Sequence, residues 1–294
     1  MNGTVDTNKE VQKKNSLAWD TWKRLLKNKG AMFGLVFMVG LVLMAIFADF
    51  LYDYDTQVIA QNIQDRLIHP CMAHPFGTDE FGRDLLARIV HGSRMSLVVS
   101  FTSVAISLAV GGVLGAISGY FGGMIDDIIM RITDILLAIP MTLFAIVIVA
   151  ALGPNTQNLA LALAASSIPI FARLVRGSVI TVRDVEYVEA ARAIGANHFT
   201  IITKHILPNC MAPIIVQVTL RIATAIYNTA ALSFLGMGVQ APAPEWGGLL
   251  AAGRSLIRDH SYLSVIPGLA IMLTVLALNL LGDGLRDALD PRLK

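Results

Sequence analysis

Charge is scarce in this chain of 294 residues: Asp, Glu, Lys and Arg make up 15% of it, hydrophobic residues make up 55%, and the mean hydropathy is +0.63. Soluble globular domains carry about 25% charge, so the composition excludes that class and points to a polytopic membrane protein. The 23 basic and 21 acidic residues leave a net charge of +2. That balance excludes a nucleic-acid surface built on bulk charge and moves the question to where the charges sit. Two cysteines, Cys71 and Cys210, are too few for a disulfide scaffold or an all-cysteine zinc site. The dipeptide Gly-Lys never occurs, so the chain lacks the Gly-x-x-x-x-Gly-Lys-Ser/Thr phosphate loop and cannot hydrolyse ATP by that chemistry. Repeats and low-complexity tracts are also missing.

Long apolar runs are present instead. A helix needs roughly 20 apolar residues to cross about 30 Å of hydrocarbon, where exposed backbone groups find no partner. Runs that meet or approach this length cover Ala31–Ala48, Met95–Ile125, Ile135–Ala172, Ile222–Pro244 and Ser261–Gly282. The third is too long for one span and contains the turn sequence Gly153-Pro154-Asn155. It divides into helices near Thr133–Leu152 and Leu159–Leu174, giving six transmembrane helices in an all-α fold. The apolar stretch Cys210–Leu220 starts the fifth helix near Ala212 and places Arg221 inside its cytoplasmic third. There the arginine snorkels to headgroups or meets another helix, readings favoured over direct contact with a substrate. Asn228 and Asn279 are further polar candidates for lining a pathway, and Pro140, Pro169 and Pro267 are expected to bend their helices.

Cytoplasmic loops keep the Lys and Arg excess. With the N-terminus inside, Lys9, Lys13, Lys14, Lys23, Arg24, Lys27, Lys29, Arg131, Arg173, Arg176, Arg183, Arg192, Lys204, Arg286, Arg292 and Lys294 fall inside. Arg66, Arg83, Arg88, Arg94, Arg254 and Arg258 fall outside. Both termini are therefore expected in the cytoplasm, with the first run a span and not a cleaved signal.

Composition divides the chain into a cytoplasmic tail (1–29), a first span (30–51), an external segment (52–94), a five-helix core (95–284) and a C-terminal tail (285–294). In the tail, Leu17–Leu26 reads as an amphipathic helix lying on membrane lipid. Gly111, Gly115 and Gly119, spaced by four, predict close helix packing with an unidentified neighbour. The external carboxylates Asp79, Glu80 and Asp84 read as a salt-bridged cap helix in preference to a cation site. His69 and His74, each followed by proline, read as turn residues rather than metal ligands. Asp126, Asp127, Arg131 and Asp134 read as an interfacial charge network, favoured over a proton relay.

One internal connection, 176–211, far exceeds the roughly 2–8 residues that bundle helices need. The stretch Val185–Ile194 is helix-forming and ends at Gly195, a C-cap; a second short helix, Asn197–Ile206, is closed by Leu207-Pro208-Asn209. Alanines flanked by Glu189 and Arg192 form a knob suited to a cleft on a cytoplasmic partner. Glu189-Ala190-Ala191, then Gly195 after three residues, then His205-Ile206-Leu207-Pro208 after nine more, resembles the EAA loop of permease subunits of bacterial ATP-binding-cassette importers.

The likeness extends to His74–Asp84, Phe234–Gly238, Pro244–Gly247 and Asn279–Pro291. These look like the C-type permease of dipeptide, oligopeptide, glutathione and nickel importers. The resemblance implies the type I importer permease fold and a non-enzymatic role as half of a translocation pathway. It implies ATPase coupling through Glu189, Ala190, Ala191, Arg192, Gly195, Leu207 and Pro208. The implied partners are a second, homologous permease, two ATP-binding subunits that carry ATP and Mg, and an external binding protein. No cofactor is expected on this chain. Peptides are the leading substrate, with nickel or glutathione as alternatives. A stand-alone secondary transporter would show an inverted repeat or intramembrane carboxylates, and an enzyme would cluster Ser, His, Asp or metal ligands at one depth; the sequence suggests neither.

Overall fold

A computed structural model describes residues 17–289. Lys9, Lys13, Lys14, Arg292, Lys294 and the Asp290-Pro291 pair lie outside the described residues. Helix α1 (Leu17–Lys27) turns Leu25 inward against Ala31 and Ala288, while Trp19, Trp22 and Leu26 stay exposed. It covers the stretch that the sequence reads as an amphipathic helix. Asn28 starts α2 (Lys29–Ile46) by accepting from the Ala31 amide at 3.1 Å. A short α3 (Ala48–Leu51) and a π turn at Tyr54–Ile59 follow.

The helix α4 (Leu85–Phe121) has 37 residues and begins well before the apolar run at Met95. Hydropathy stops at Arg88, His91 and Arg94, but the helix does not, because each of these side chains has a partner. Arg88 donates from Nη1 to the Val58 carbonyl at 2.9 Å, and His91 Nε2 lies 2.8 Å from the Tyr52 carbonyl. Arg94 pairs with Asp49 at 2.9 Å and donates to the Ala45 carbonyl near the end of α2. Asp84 caps α4 by accepting from the Ala87 amide at 2.9 Å.

No cap helix forms over 77–84. That stretch is a loop closed by an isolated antiparallel bridge between Thr78 and Asp84. Gly77 and Gly82, at φ +78° and +73°, adopt backbone that ordinary residues avoid and break any helix. The expected ion pairs are there: Asp79 accepts from Arg83 at 2.7 Å and lies 3.6 Å from Arg88. His74 pairs with Asp84 at 2.8 Å, while His69 packs against His260 and Tyr262, so the two histidines serve separate contacts.

Helices α5 (Gly123–Leu137) and α6 (Met141–Leu152) meet at an angle of 87°. The single helix expected near Thr133–Leu152 is therefore a broken pair. Pro140 carries no amide hydrogen and disfavours helical backbone at the residue before it, so it opens α6 in an extended conformation, ψ 128°. Gly153-Pro154-Asn155 turns the chain as expected, and Asn155 caps α7 (Thr156–Val182) through the Asn158 amide at 2.8 Å.

Beyond α8 (Glu186–Ala193), a helical path runs from α9 (His198–Thr200) through a π turn and a 3-10 turn into α10 (Met211–Phe234). Leu207-Pro208 does not close the second helix. Pro208 cannot donate, so the ladder widens before it, with the Leu207 amide reaching the Ile202 carbonyl, then tightens and continues.

Helix α11 (Trp246–Gly253) packs between α10 and α12 (Tyr262–Leu289). Among the described residues, five helical paths are long and apolar enough to cross a membrane, and the bent α5–α6 pair makes a sixth if it is one span. This agrees with the all-helical fold expected from the apolar runs. The core is built on α4 against α7, with α10, α11, α12 and α2 around it.

Candidate functional site

The long internal connection is held on one end of the α4–α7 pair. Val188 and Ala191 of α8 are buried with Ala116 and Tyr120 of α4, Val175 and Val179 of α7, and Ile201, Ile206 and Cys210 further along the loop. Helix α8 ends in a two-bond C-terminal motif. The Ala196 amide donates to the Ala191 carbonyl at 3.1 Å and the Gly195 amide to the Arg192 carbonyl at 3.0 Å. This geometry needs a left-handed residue between them, and Gly195 supplies it at φ +83°.

Burial of Ala191 removes it from the expected knob. Glu189, Ala190, Ala193 and Gly195 remain outside, with half-buried Leu207 and exposed Pro208 farther along. Arg192 does not flank a docking surface as a free charge. Its guanidinium lies over the Tyr120 ring, 5.4 Å from the centroid, and donates to the Arg183 carbonyl at 3.1 Å. Tyr120 also bonds His198 Nδ1 at 2.9 Å, so one residue of α4 braces both halves of the loop.

Residues outside the EAA pattern complete the surface. Ile194 is 85% exposed and Phe199 76%, with Tyr187 and Val185 also uncovered. Two large apolar side chains are thus left almost bare on one small loop, a candidate contact surface. Their signal in the sequence was an isolated apolar residue at each end of the glycine turn, which periodicity reads as core.

Beside this loop, α7 supplies partners that the acidic cluster needed. Asp126 takes both Arg176 and Ser118, and Asp134 takes Arg173. The network thus joins α5 to α7. Gly111, Gly115 and Gly119 face the same helix: an added Cβ at Gly111 would come 2.5 Å from the Ile168 carbonyl oxygen, and at Gly119 2.9 Å from that of Arg176. Their neighbour is therefore in the same chain.

The structure does not bring the three polar pathway candidates together into one cluster. Asn228 is buried on α10 with its amide nitrogen 3.7 Å from the Met141 sulfur, a weak partner at the start of α6. Asn279 is half-buried on α12. Arg221 is half-buried on α10, and its Nε is enclosed with no hydrogen-bond partner, so of the two alternatives expected for it, snorkelling or a helix partner, the partner is not found among the described residues. Near the opposite end of α4, Glu245 caps α11 through the Gly247 and Gly248 amides, both at 3.0 Å, and accepts from Ser96 at 3.1 Å. Trp246 is buried with its indole donating to the Ile89 carbonyl. The Pro244–Gly247 motif therefore fastens α11 to α4.

The model for the inner membrane component of binding-protein-dependent transport systems matches residues 111–294, and that for the N-terminal TM domain of oligopeptide transport permease C matches residues 16–70. Over 275 residues the chain is 50% identical to the dipeptide transport system permease protein of Alkalihalophilus pseudofirmus, covering 94% of this chain and 90% of that one. It is 46% identical to the di/tripeptide transport system permease protein of Pseudomonas aeruginosa, covering 93% and 91%. With the glutathione transport system permease protein of Pectobacterium atrosepticum the identity is 45%, covering 93% and 90%. Among solved structures, the inward facing MetNI methionine ABC transporter matches with a TM-score of 0.57 at 18% identity, over 69% of this chain and 96% of that one, a likeness of fold.

Proposed function

The chain belongs to the family of inner membrane components of binding-protein-dependent transport systems, and on that premise we propose that it is a permease subunit of an ATP-driven importer. It forms half of a translocation pathway for peptides, completed by a second, homologous permease and fed by an external binding protein. Two ATP-binding subunits hold ATP and Mg and do the hydrolysis; this chain is not an enzyme. Glutathione is a close alternative substrate and is itself a small peptide, as the name of one relative recommends.

The observation that carries this reading is the seated loop. Its inner face is fixed to α4 and α7 by Val188 and Ala191, and its outer face offers Glu189, Ala190, Ile194 and Phe199. That outer face is the docking surface for an ATPase subunit, with Arg192, Gly195, Leu207 and Pro208 keeping the loop in shape. Nucleotide-driven closure of the ATPases displaces the loop, and the α4–α7 body follows it between two orientations of the pathway. The loop and both termini face the cytoplasm of a bacterial inner membrane in this arrangement, and α1 lies on lipid. Removal of 189–195 is expected to leave membrane insertion intact while abolishing ATPase copurification and uptake; undiminished substrate-stimulated ATP hydrolysis would refute the assignment.

A further inference from the structure

Gln217, Arg221, Thr224 and Asn228 follow one another at intervals of four, three and four residues along α10, which places them on one face of the helix. The other face, with Ile222, Ala223, Ile226, Thr229, Ala230 and Ser233, is buried in the chain's own core. The polar face is left partly open: Gln217, Arg221 and Thr224 are half-buried, Asn228 at its far end is buried, and Tyr227 and Leu235 beside it are each 60% exposed. A stripe of amide, guanidinium, hydroxyl and amide inside a span does not face hydrocarbon, because each group there would lose its hydrogen bonds. It faces either water or another subunit.

The state of the side chains separates these two. Arg173 and Arg176 are matched by Asp134 and Asp126, whereas Arg221 Nε meets no acceptor. The Thr224 hydroxyl donates to the Leu220 carbonyl at 3.0 Å and keeps its lone pairs free, and Asn228 has only a thioether near its amide. The stripe is therefore a row of underused polar groups around one uncompensated cation. We propose that this face of α10 lines the water-filled pathway and that Arg221 supplies a transient counter-charge to the C-terminal carboxylate of a peptide in passage. This deepens the peptide-import reading and rests on it. A guanidinium suits the task because its planar fork pairs with a carboxylate through two parallel hydrogen bonds.

The test uses the assembled transporter in proteoliposomes with peptide-loaded binding protein. In a chain carrying Cys71→Ser and Cys210→Ala, thiols introduced as Gln217→Cys and Thr224→Cys are expected to react with a charged, water-soluble methanethiosulfonate, while one at the exposed apolar position Val147 of α6 stays unmodified. Failure of both stripe thiols to react in the intact complex would overturn the proposal and make the face a subunit seam. Arg221→Gln is expected to lower maximal uptake about tenfold or more, the worth of a charge-assisted hydrogen bond, at an unchanged half-saturating concentration of loaded binding protein. Arg221→Lys should recover most of it. Wild-type uptake by Arg221→Gln, or its loss from the complex during purification, would overturn the role of Arg221. Reactive stripe thiols in a complex that moves no peptide would instead refute the substrate reading, and with it the carboxylate pairing, while leaving the pathway face standing.

Discussion

Gly115 lies where α4 and α7 leave no room for a side chain, since an added Cβ would collide with the Ala172 carbonyl oxygen, whereas the one at neighbouring Gly112 would meet nothing closer than 3.8 Å. Gly115→Leu should therefore destabilise the permease by about 1–3 kcal/mol, the usual cost of overpacking. Gly112→Leu should change stability by less than about 0.5 kcal/mol. Thermal unfolding of the two purified variants beside wild type checks both, and equal melting temperatures would contradict the packing. Glu245→Ala removes the α11 cap and the acceptor of the buried Ser96 hydroxyl; a loss of about 1–2 kcal/mol is expected, read in the same melting experiment. The glycine spacing was legible in the sequence because close packing needs only a local pattern. The stacking of Arg192 on Tyr120 was not, because the two are distant in sequence and only the fold brings them together.

At the scale of elements, the internal loop was legible in outline: α8, its glycine end and a second helical piece all follow from local propensity and capping. Two features escaped for one reason, that hydropathy reports composition and not direction. The apolar run after Ile135 contains Pro140, and the chain turns through 87° there without losing a single apolar residue. Leu207-Pro208 reads as a stop, yet packing of Ile206 and Cys210 into the core carries the helical path onward. Docking belongs to this scale as well. Because Ile194 and Phe199 are bare and touch little of their own chain, the double variant Ile194→Glu and Phe199→Glu should leave the permease folded. It should weaken ATPase retention about tenfold or more, as expected when contact-centre residues are lost. Pull-down of the ATPase subunits from membranes expressing the variant measures this, and wild-type retention would place the contact elsewhere on the loop.

For the whole molecule, the distribution of Lys and Arg predicts an orientation that a thiol experiment can read. Cys71 is exposed in the loop before α4 and Cys210 is buried. A membrane-impermeant maleimide should therefore label a Cys210→Ala chain at Cys71 in intact spheroplasts, while an Ile194→Cys thiol, in a chain also carrying Cys71→Ser, should react only after permeabilisation. The opposite pattern would invert the topology. Five of the spanning helices were legible from run lengths, since hydrocarbon thickness sets them; the reach of α4 beyond its run was not, because Asp84, Asp49 and the carbonyl partners that sustain it come from three separate segments. That reach has a mechanical consequence. At about 1.5 Å per residue an unbroken α4 is about 55 Å long, with the ion-paired 77–84 loop at one tip and the Tyr120 brace of the long internal connection at the other. Such a strut resists shortening, so a push on one tip emerges at the other as tilt: a pivot of about 10° at mid-length carries each tip about 5 Å in opposite directions. If the loop at the Tyr120 end is driven as proposed, a single piece of secondary structure would gear the two ends of the protein to each other.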